Sequence, residues 1–460
     1  MLDRTSFLSK LVYTIEAISM LLAVHFVIAS KHMVGFIENG LIQFVPHIVF
    51  LVLIYVVVSK GFETQAYFSR TPKSIVLTSF IVQLIFSLVL SATYFISVSS
   101  FQWHWSFLVT YTLAGTFIVS LLHLSIYYYL TKYAKRKSIL ILGKEKAVKI
   151  ALENIEDVIK PFQQITHVVI GNYLLHLKNE IDKVDIVYIA GKIDPVERQE
   201  IYNYLITKNK TLYITTNIEN TMALNSSLIN ISDESILQLS PYFLSTEQVV
   251  IKRLLDILIS LLLLLFLSPV MLITIIAIKL ESPGPVFYRQ ERVTLNQQVF
   301  SILKFRSMVV NAEEATGPVL AKANDSRVTK VGRIIRSTRI DEIPQLINVL
   351  KGEMSLIGPR PERTSFVEQF TKENQFYSLR HNVRAGITGY AQVYGKYTSG
   401  FESKLKFDLL YIKNYSILLD FKLLLKTIVV VFDKLSSQGE IEEKSPLQKA
   451  TISKDILILR

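Results

Sequence analysis

Two adjacent carboxylates, Asp341 and Glu342, stand in a run that carries Arg336 and Arg339 just before them. Further along, Arg360 is held between Pro359 and Pro361, and Arg384 precedes the glycine-containing turn Gly386-Ile387-Thr388-Gly389. Pro344 suits the first turn of a helix through Gln345–Lys351 and Gly352 its C-terminal stop, so the acidic pair is expected at the positive end of that helix. Adjacent carboxylates on an exposed helix end commonly serve as caps. The arginines favour another use, because several guanidinium forks can converge on a phosphate. The chain contains no cysteine, which excludes thiolate nucleophiles and Cys-based zinc sites. Carboxylates among arginines then suggest phosphoryl chemistry with a hard divalent cation, Mg²⁺, which takes oxygen ligands and bridges phosphates.

Such a site must be positioned by a chain of 460 residues, half of them hydrophobic, with a formal net charge of +12. The length predicts two or three domains, and the apolar content a membrane protein. Four apolar stretches, 11–30, 41–59, 74–98 and 105–130, are each long enough to cross a bilayer as a helix. No signal-peptide cleavage site follows the first, which reads as a retained anchor. Lys and Arg concentrate at the N-terminus (Arg4, Lys10), between the second and third stretches (Lys60, Arg70, Lys73) and after the fourth (Lys132, Lys135, Arg136, Lys137). The positive-inside rule therefore predicts a cytoplasmic N-terminus and a cytoplasmic segment from residue 131 onward. Glu16, His25 and His47 lie within the apolar stretches, where interfacial placement or packing inside the bundle accounts for them.

From 138 to about 240 the pattern becomes βαβ, with apolar runs at 138–143, 167–171, 185–190 and 211–216 that predict a parallel sheet. The first strand is followed by Gly143-Lys144-Glu145-Lys146-Ala147, a single glycine where a dinucleotide site needs several. The expectation is a degenerate Rossmann-like domain without a working NAD site.

The run Ile257–Ile278 is again long enough to span, yet Ser268-Pro269 sits at its centre. Proline removes a helical hydrogen bond there, and the serine hydroxyl can satisfy the freed carbonyl. Both flanks are basic, Lys252 and Arg253 before it and Lys279, Arg289 and Arg292 after it. A straight span would export one cluster, so the expectation is a re-entrant hairpin, 252–279, that turns back at Ser268-Pro269. The later stretch Leu409–Val431, with Lys413, Lys422 and Lys426 among apolar residues, reads as one or two amphipathic surface helices. Residues 437–460 read as a tail with no clear signal.

In order along the chain stand a basic pair, the Ser-Pro hairpin, Lys304-Phe305-Arg306-Ser307-Met308, the Asp341-Glu342 dyad with Pro344-Gln345-Leu346, Leu350-Lys351-Gly352-Glu353-Met354-Ser355, Gly358-Pro359-Arg360-Pro361 and Arg384-Ala385-Gly386-Ile387-Thr388-Gly389. This block, from about Val249 to Phe432, resembles the monotopic phosphoglycosyl transferases, also called bacterial sugar transferases or polyprenyl glycosylphosphotransferases. With the preceding segments, the chain looks like the large subclass of that family. The resemblance implies a four-helix transmembrane bundle over 1–135, the degenerate Rossmann-like domain over 136–245, and a mainly helical catalytic domain over 246–436. It implies transfer of a sugar 1-phosphate from a UDP-sugar to undecaprenyl phosphate through a covalent intermediate on Asp341, the step that initiates exopolysaccharide, capsule or O-antigen assembly. Glu342 would bind Mg²⁺ together with Asp341 or handle protons, and Lys304, Arg306, Arg336, Arg339, Arg360 and Arg384 would bind substrate. The expected setting is the bacterial inner membrane, with the catalytic domain cytoplasmic and the lipid bilayer, not nucleic acid, as the partner of the positive charge. The bundle and Rossmann-like domain offer surface for a homodimer. Two rival readings are a membrane-anchored nucleotide-sugar dehydratase or reductase, against which the missing glycines count, and a non-enzymatic scaffold of polysaccharide assembly.

Overall fold

The computed structural model describes residues 16, 41–64, 67, 71–97, 105–133, 136–159, 162–231, 233–310, 325, 327–395, 400–432 and 456–459. The chain divides into two compact units, one of residues 1–215 with 444–460 and one of residues 216–443.

The first unit holds helices α1 (Leu41–Gly61), α2 (Pro72–Ser97) and α3 (Trp105–Tyr133). Polar side chains stitch them together, as expected where helices have no hydrophobic drive to associate within lipid. Ser87 and Thr112 share a hydrogen bond of 2.8 Å, and the Gln83 amide donates to the Tyr55 hydroxyl at 3.3 Å. The first predicted span lies outside the described residues except for Glu16, whose buried carboxylate meets His123 Nε2 at 2.7 Å, while His123 Nδ1 lies 2.6 Å from the Tyr67 hydroxyl. Among the described residues three helices are long and apolar enough to cross a membrane, within 72–92, 108–133 and 246–281.

Strands β1 (Lys137–Gly143), β2 (Gln163–Val169), β3 (Ile186–Ala190) and β4 (Thr211–Ile214) alternate with helices α4 (Glu145–Ile159), α5 (Tyr173–Glu180) and α6 (Pro195–Thr207). All four strands are parallel, at or within a few residues of the predicted runs. The central strand β1 is buried on both faces: Leu140 and Leu142 enter one core cluster, Ile139 and Ile141 the other. That two-sided burial is why it reads as an unbroken apolar run. A Cβ at Gly143 would lie 2.3 Å from the Ala190 carbonyl oxygen, so packing of β1 against β3 already requires this glycine.

The second unit opens with α7 (Ile218–Met222) and the hairpin β5 (Ser227–Ile231) and β6 (Glu234–Gln238). Sequence reasoning assigned this stretch to the Rossmann-like domain. Here Tyr242 enters the main core of the second unit and bonds Thr221, while Lys413 bonds Ser240 and Asn225 bonds the Lys413 carbonyl. Helix α8 (Thr246–Glu281) begins at a capping box of Ser245 and Gln248 and continues for 36 residues. Pro269 sits inside it, and the carbonyl it frees, that of Leu265, accepts from the Ser268 hydroxyl at 2.8 Å.

Strands β7 (Phe287–Val293) and β8 (Val299–Phe305) form an antiparallel hairpin, followed by α9 (Lys330–Ser337), a 3₁₀ turn at Ile340–Glu342 and α10 (Gln345–Lys351). Pro344 precedes α10, and Gly352, with φ of 85°, ends it, as the residue types predict. Strand β9 (Ser355–Ile357), helix α11 (Thr364–Glu373), strand β10 (Gly386–Thr388), helices α12 (Tyr390–Tyr394), α13 (Phe401–Lys413) and α14 (Ile417–Phe432) complete this unit. The predicted amphipathic stretch is thus two helices, and α13 buries Leu405, Leu409, Tyr411 and Ile412 in the core. Residues 457–459, expected to be featureless tail, form β11, which extends the first unit's sheet to the order β11-β2-β1-β3-β4.

Candidate active site

The acidic dyad occupies the 3₁₀ turn between α9 and α10, and both carboxylates are buried, at 8% and 9% exposure, where an exposed helix end was expected. Arg339 turns the chain into that position. Its left-handed backbone (φ 59°) costs about 1–2 kcal/mol for a residue with a Cβ, and it marks the break between α9 and the dyad. Neither carboxylate caps a helix.

The two acids have different surroundings. Glu342 Oε1 accepts from Arg360 Nη2 at 2.7 Å and from Lys304 Nζ at 3.2 Å, with Arg339 Nη1 at 3.7 Å. Burial alone would raise its pKa. Arg360, Lys304 and Arg339 outweigh burial and hold Glu342 well below the usual carboxylate range. Asp341 Oδ1 is buried with no hydrogen-bond partner. Burial, reinforced by the negative charge of Glu342, pushes Asp341 up to about 6 despite Lys304, Arg339 and Arg336 nearby. Fixed as an anion, Glu342 organises the cations; Asp341 presents an oxygen that nothing in the protein occupies.

Each cation reaches this place from a different element. Lys304 lies on β8, opposite Tyr288 of β7, and β8 is tied to α10 by Asn348, whose side chain accepts from the Leu303 amide and donates to the Ser301 carbonyl. Arg360 follows β9, whose exit is set by a contact between main chains: a Cβ at Gly389 would fall 2.0 Å from the Gly358 carbonyl oxygen. Arg336, near the end of α9, acts on Asp341 through its charge.

Two predicted substrate-binding arginines are placed elsewhere. Arg306 is buried and donates to the Ser282 and Pro283 carbonyls and the Ser282 hydroxyl, at 2.7–3.0 Å, which ties β8 to the end of α8. Arg384 donates to the Gly352 carbonyl at 3.0 Å, next to Arg253, which donates to the Val349 and Leu350 carbonyls. Both satisfy orphan carbonyls at helix ends. Conversely, Arg292 gives only a topology signal in the sequence. It stands near Glu362, Arg363 and Arg360, and burial pulls its pKa down to about 10. The Val293 amide bonds the Glu362 carbonyl at 3.1 Å, so β7 runs beside the Arg360 segment. Alternation along β7 was the available signal: Tyr288, Gln290 and Arg292 share the hairpin face that carries Lys304.

The dyad supplies two carboxylates, and no group of three or more His, Cys, Asp or Glu poised for a metal occurs among the described residues. That donor set fits Mg²⁺, which is commonly held by one or two carboxylates together with substrate phosphates. The buried, partnerless Oδ1 of Asp341 is a suitable oxygen ligand.

A buried acidic pair clamped by cations, in a unit that also carries a 36-residue apolar helix, suits a membrane-associated class of protein that handles anionic substrates. Residues 247–434 match the family model of the bacterial sugar transferases, and the chain belongs to that family. It is 51% identical over 181 residues to a UDP-N-acetylgalactosamine-undecaprenyl-phosphate N-acetylgalactosaminephosphotransferase of Aeromonas hydrophila, covering 39% of this chain and 43% of the relative. It is 36% identical over 252 residues to a UDP-glucose:undecaprenyl-phosphate glucose-1-phosphate transferase of Escherichia coli, covering 54% of each chain. A protein of the same name from Caulobacter vibrioides is 42% identical over 185 residues, 38% of this chain and 68% of the relative. The chain thus spans about half the length of the Aeromonas and Escherichia relatives.

Proposed function

We propose that this protein transfers a sugar 1-phosphate from a UDP-sugar to undecaprenyl phosphate at the cytoplasmic face of the bacterial inner membrane, initiating assembly of a cell-surface polysaccharide. The observation that carries the reading is the asymmetry of the dyad: Glu342 is held by three cations, whereas Asp341 Oδ1 is buried and partnerless. Asp341 attacks the β-phosphorus of the donor. One Asp–O–P bond forms as the bond to the α-phosphate oxygen breaks, and UMP leaves. A phosphate oxygen of undecaprenyl phosphate then attacks the same phosphorus, which frees the Asp341 carboxylate and yields undecaprenyl diphosphosugar. The anomeric C–O bond is untouched throughout, so the sugar keeps its configuration. Lys304, Arg360, Arg339 and Arg336 orient the diphosphate and offset its charge. Mg²⁺, held by Asp341 and Glu342, would neutralise the diphosphate and stabilise the leaving phosphate.

The lipid acceptor requires a site at the membrane boundary, and the same reading takes α8 as a re-entrant helix. Its two ends support this. The segment from Arg253 to Glu281 would span about 42 Å as a straight helix. Near one end Arg253 grips the carbonyls of Val349 and Leu350; at the other, Glu281 accepts from the Lys330 and Val331 amides and Arg306 grips residues 282–283. Asn348, beside Val349, bonds Leu303, only three residues along β8 from Arg306. So short a path between the anchors favours a bend, and Pro269 is where the helix has lost a hydrogen bond.

Mixing enzyme, Mg²⁺ and UDP-sugar without acceptor should release a burst of UMP and leave sugar phosphate on an Asp341 peptide. Asp341→Asn should abolish both. UMP release that strictly requires the lipid acceptor, with no trapped peptide, would replace this mechanism by direct transfer.

A further inference from the structure

We propose that Arg380, anchored by Asp408, is a positioning residue that fixes Arg360 against the dyad, an inference that rests on the site reading above. Arg360 is flanked by Pro359 and Pro361, so its neighbours contribute no N–H donors and the carbonyls become the handles of this segment. The Pro359 carbonyl accepts from the Gly386 amide at 2.9 Å. The Arg360 carbonyl accepts from the guanidinium of Arg380 at 2.8 Å.

Arg380 is 4% exposed and its fork is spent on three groups. Besides the Arg360 carbonyl, it donates through Nε to Asp408 Oδ2 at 2.9 Å and through Nη1 to the Tyr377 hydroxyl at 2.7 Å. Asp408 comes from α13 and is itself 1% exposed. The path runs from the α13 carboxylate to the Arg380 guanidinium, to the Arg360 main chain, and from the Arg360 side chain to Glu342 at 2.7 Å. A buried ion pair is seldom a better source of stability than apolar residues of the same volume. Its planar fork can nevertheless set a carbonyl in direction as well as distance, which an ammonium cannot do as well.

The test is a double-mutant cycle on the full chain in nanodiscs, with Arg380→Lys, Arg360→Lys and the double variant, reading the UMP burst rate and the melting temperature. Arg380→Lys keeps a cation beside Asp408 but loses the fork, and should slow the burst about 10- to 100-fold. In the Arg360→Lys background the same change should cost less than about threefold, because the group it positions is already gone. Equal losses in both backgrounds would show a merely structural role and overturn the proposal, as would an Arg380→Lys enzyme with a normal burst. An Arg360→Lys enzyme with a normal burst would overturn both the proposal and the reading of the site, whereas a slow Arg360→Lys with a normal Arg380→Lys would remove the positioning role alone. Should Arg380→Lys fail to fold, Tyr377→Phe deletes only the hydroxyl bonded to Nη1, and the same cycle applies, with an expected loss of about two- to fivefold that vanishes in the Arg360→Lys background.

Discussion

Lowering pH should silence the enzyme well above the pH at which an ordinary aspartate protonates. With Asp341 at about 6, the nucleophile is ionised in roughly nine molecules of ten at pH 7 and in one of ten at pH 5. A carboxyl at its ordinary value near 3.9 would stay more than nine-tenths ionised over that interval. The sign follows from burial and the neighbouring Glu342, which raise the pKa, so activity is present above about 6 and lost below it. The value of kcat/KM, which reports the free enzyme, should therefore fall about tenfold between pH 7 and pH 5 at fixed Mg²⁺, measured by rapid-quench release of UMP. Glu342→Gln removes an anion that raises the Asp341 pKa and frees Lys304 and Arg339 to act on Asp341, so the acid limb should move below 6 even as the maximum rate drops. A flat profile from pH 7 to 5, or a limb that rises in Glu342→Gln, would refute the reasoning.

Arg306→Met should lower the melting temperature, by about 2–3 kcal/mol of stability for the lost charged hydrogen bonds to residues 282–283, while the KM for UDP-sugar in the surviving folded fraction stays within about twofold of normal. A truncated chain beginning at Thr216 should retain the UMP burst, whereas one beginning at Thr246 should melt earlier because Tyr242 leaves its core; equal melting curves would show that 216–245 is dispensable. Thiol-specific labelling of cysteines introduced at Asn296 and Ser138 should occur only from the cytoplasmic side. Pro269→Leu, which restores a hydrogen-bond donor within α8, should reduce activity and expose Asn296 to the outer side in part of the population.

Periodicity and punctuation exposed much of this architecture. The four parallel strands were visible because β1 to β4 are apolar runs separated by helical segments, and α10 because Pro344 and Gly352 bracket it. The pairing of Ser268 with the carbonyl freed by Pro269 follows from local chemistry alone. Direction is what a string of residues hides. Arg306 lies in the same motif block as Lys304, and Arg384 heads the block that follows that of Arg360, yet their guanidiniums turn to the carbonyls of 282–283 and 352, since a charge in a sequence carries no bearing. Arg380 and Asp408, 28 residues apart, resemble surface charges until the 377–382 turn and α13 are brought together. Strand β11 is only three residues long, too short for any alternation to register.

That strand imposes an order on biosynthesis. Leu457 pairs with His167, a residue synthesised 290 positions earlier, and the whole catalytic unit lies between them. At about 5–20 residues per second, the ribosome leaves the free edge of β2 uncovered for roughly 15–60 s. An open edge is a template for unwanted pairing, so throughout that interval the nascent sheet is exposed to neighbouring chains. A ribosome that stalls anywhere in the catalytic segment would release a protein whose sheet cannot close.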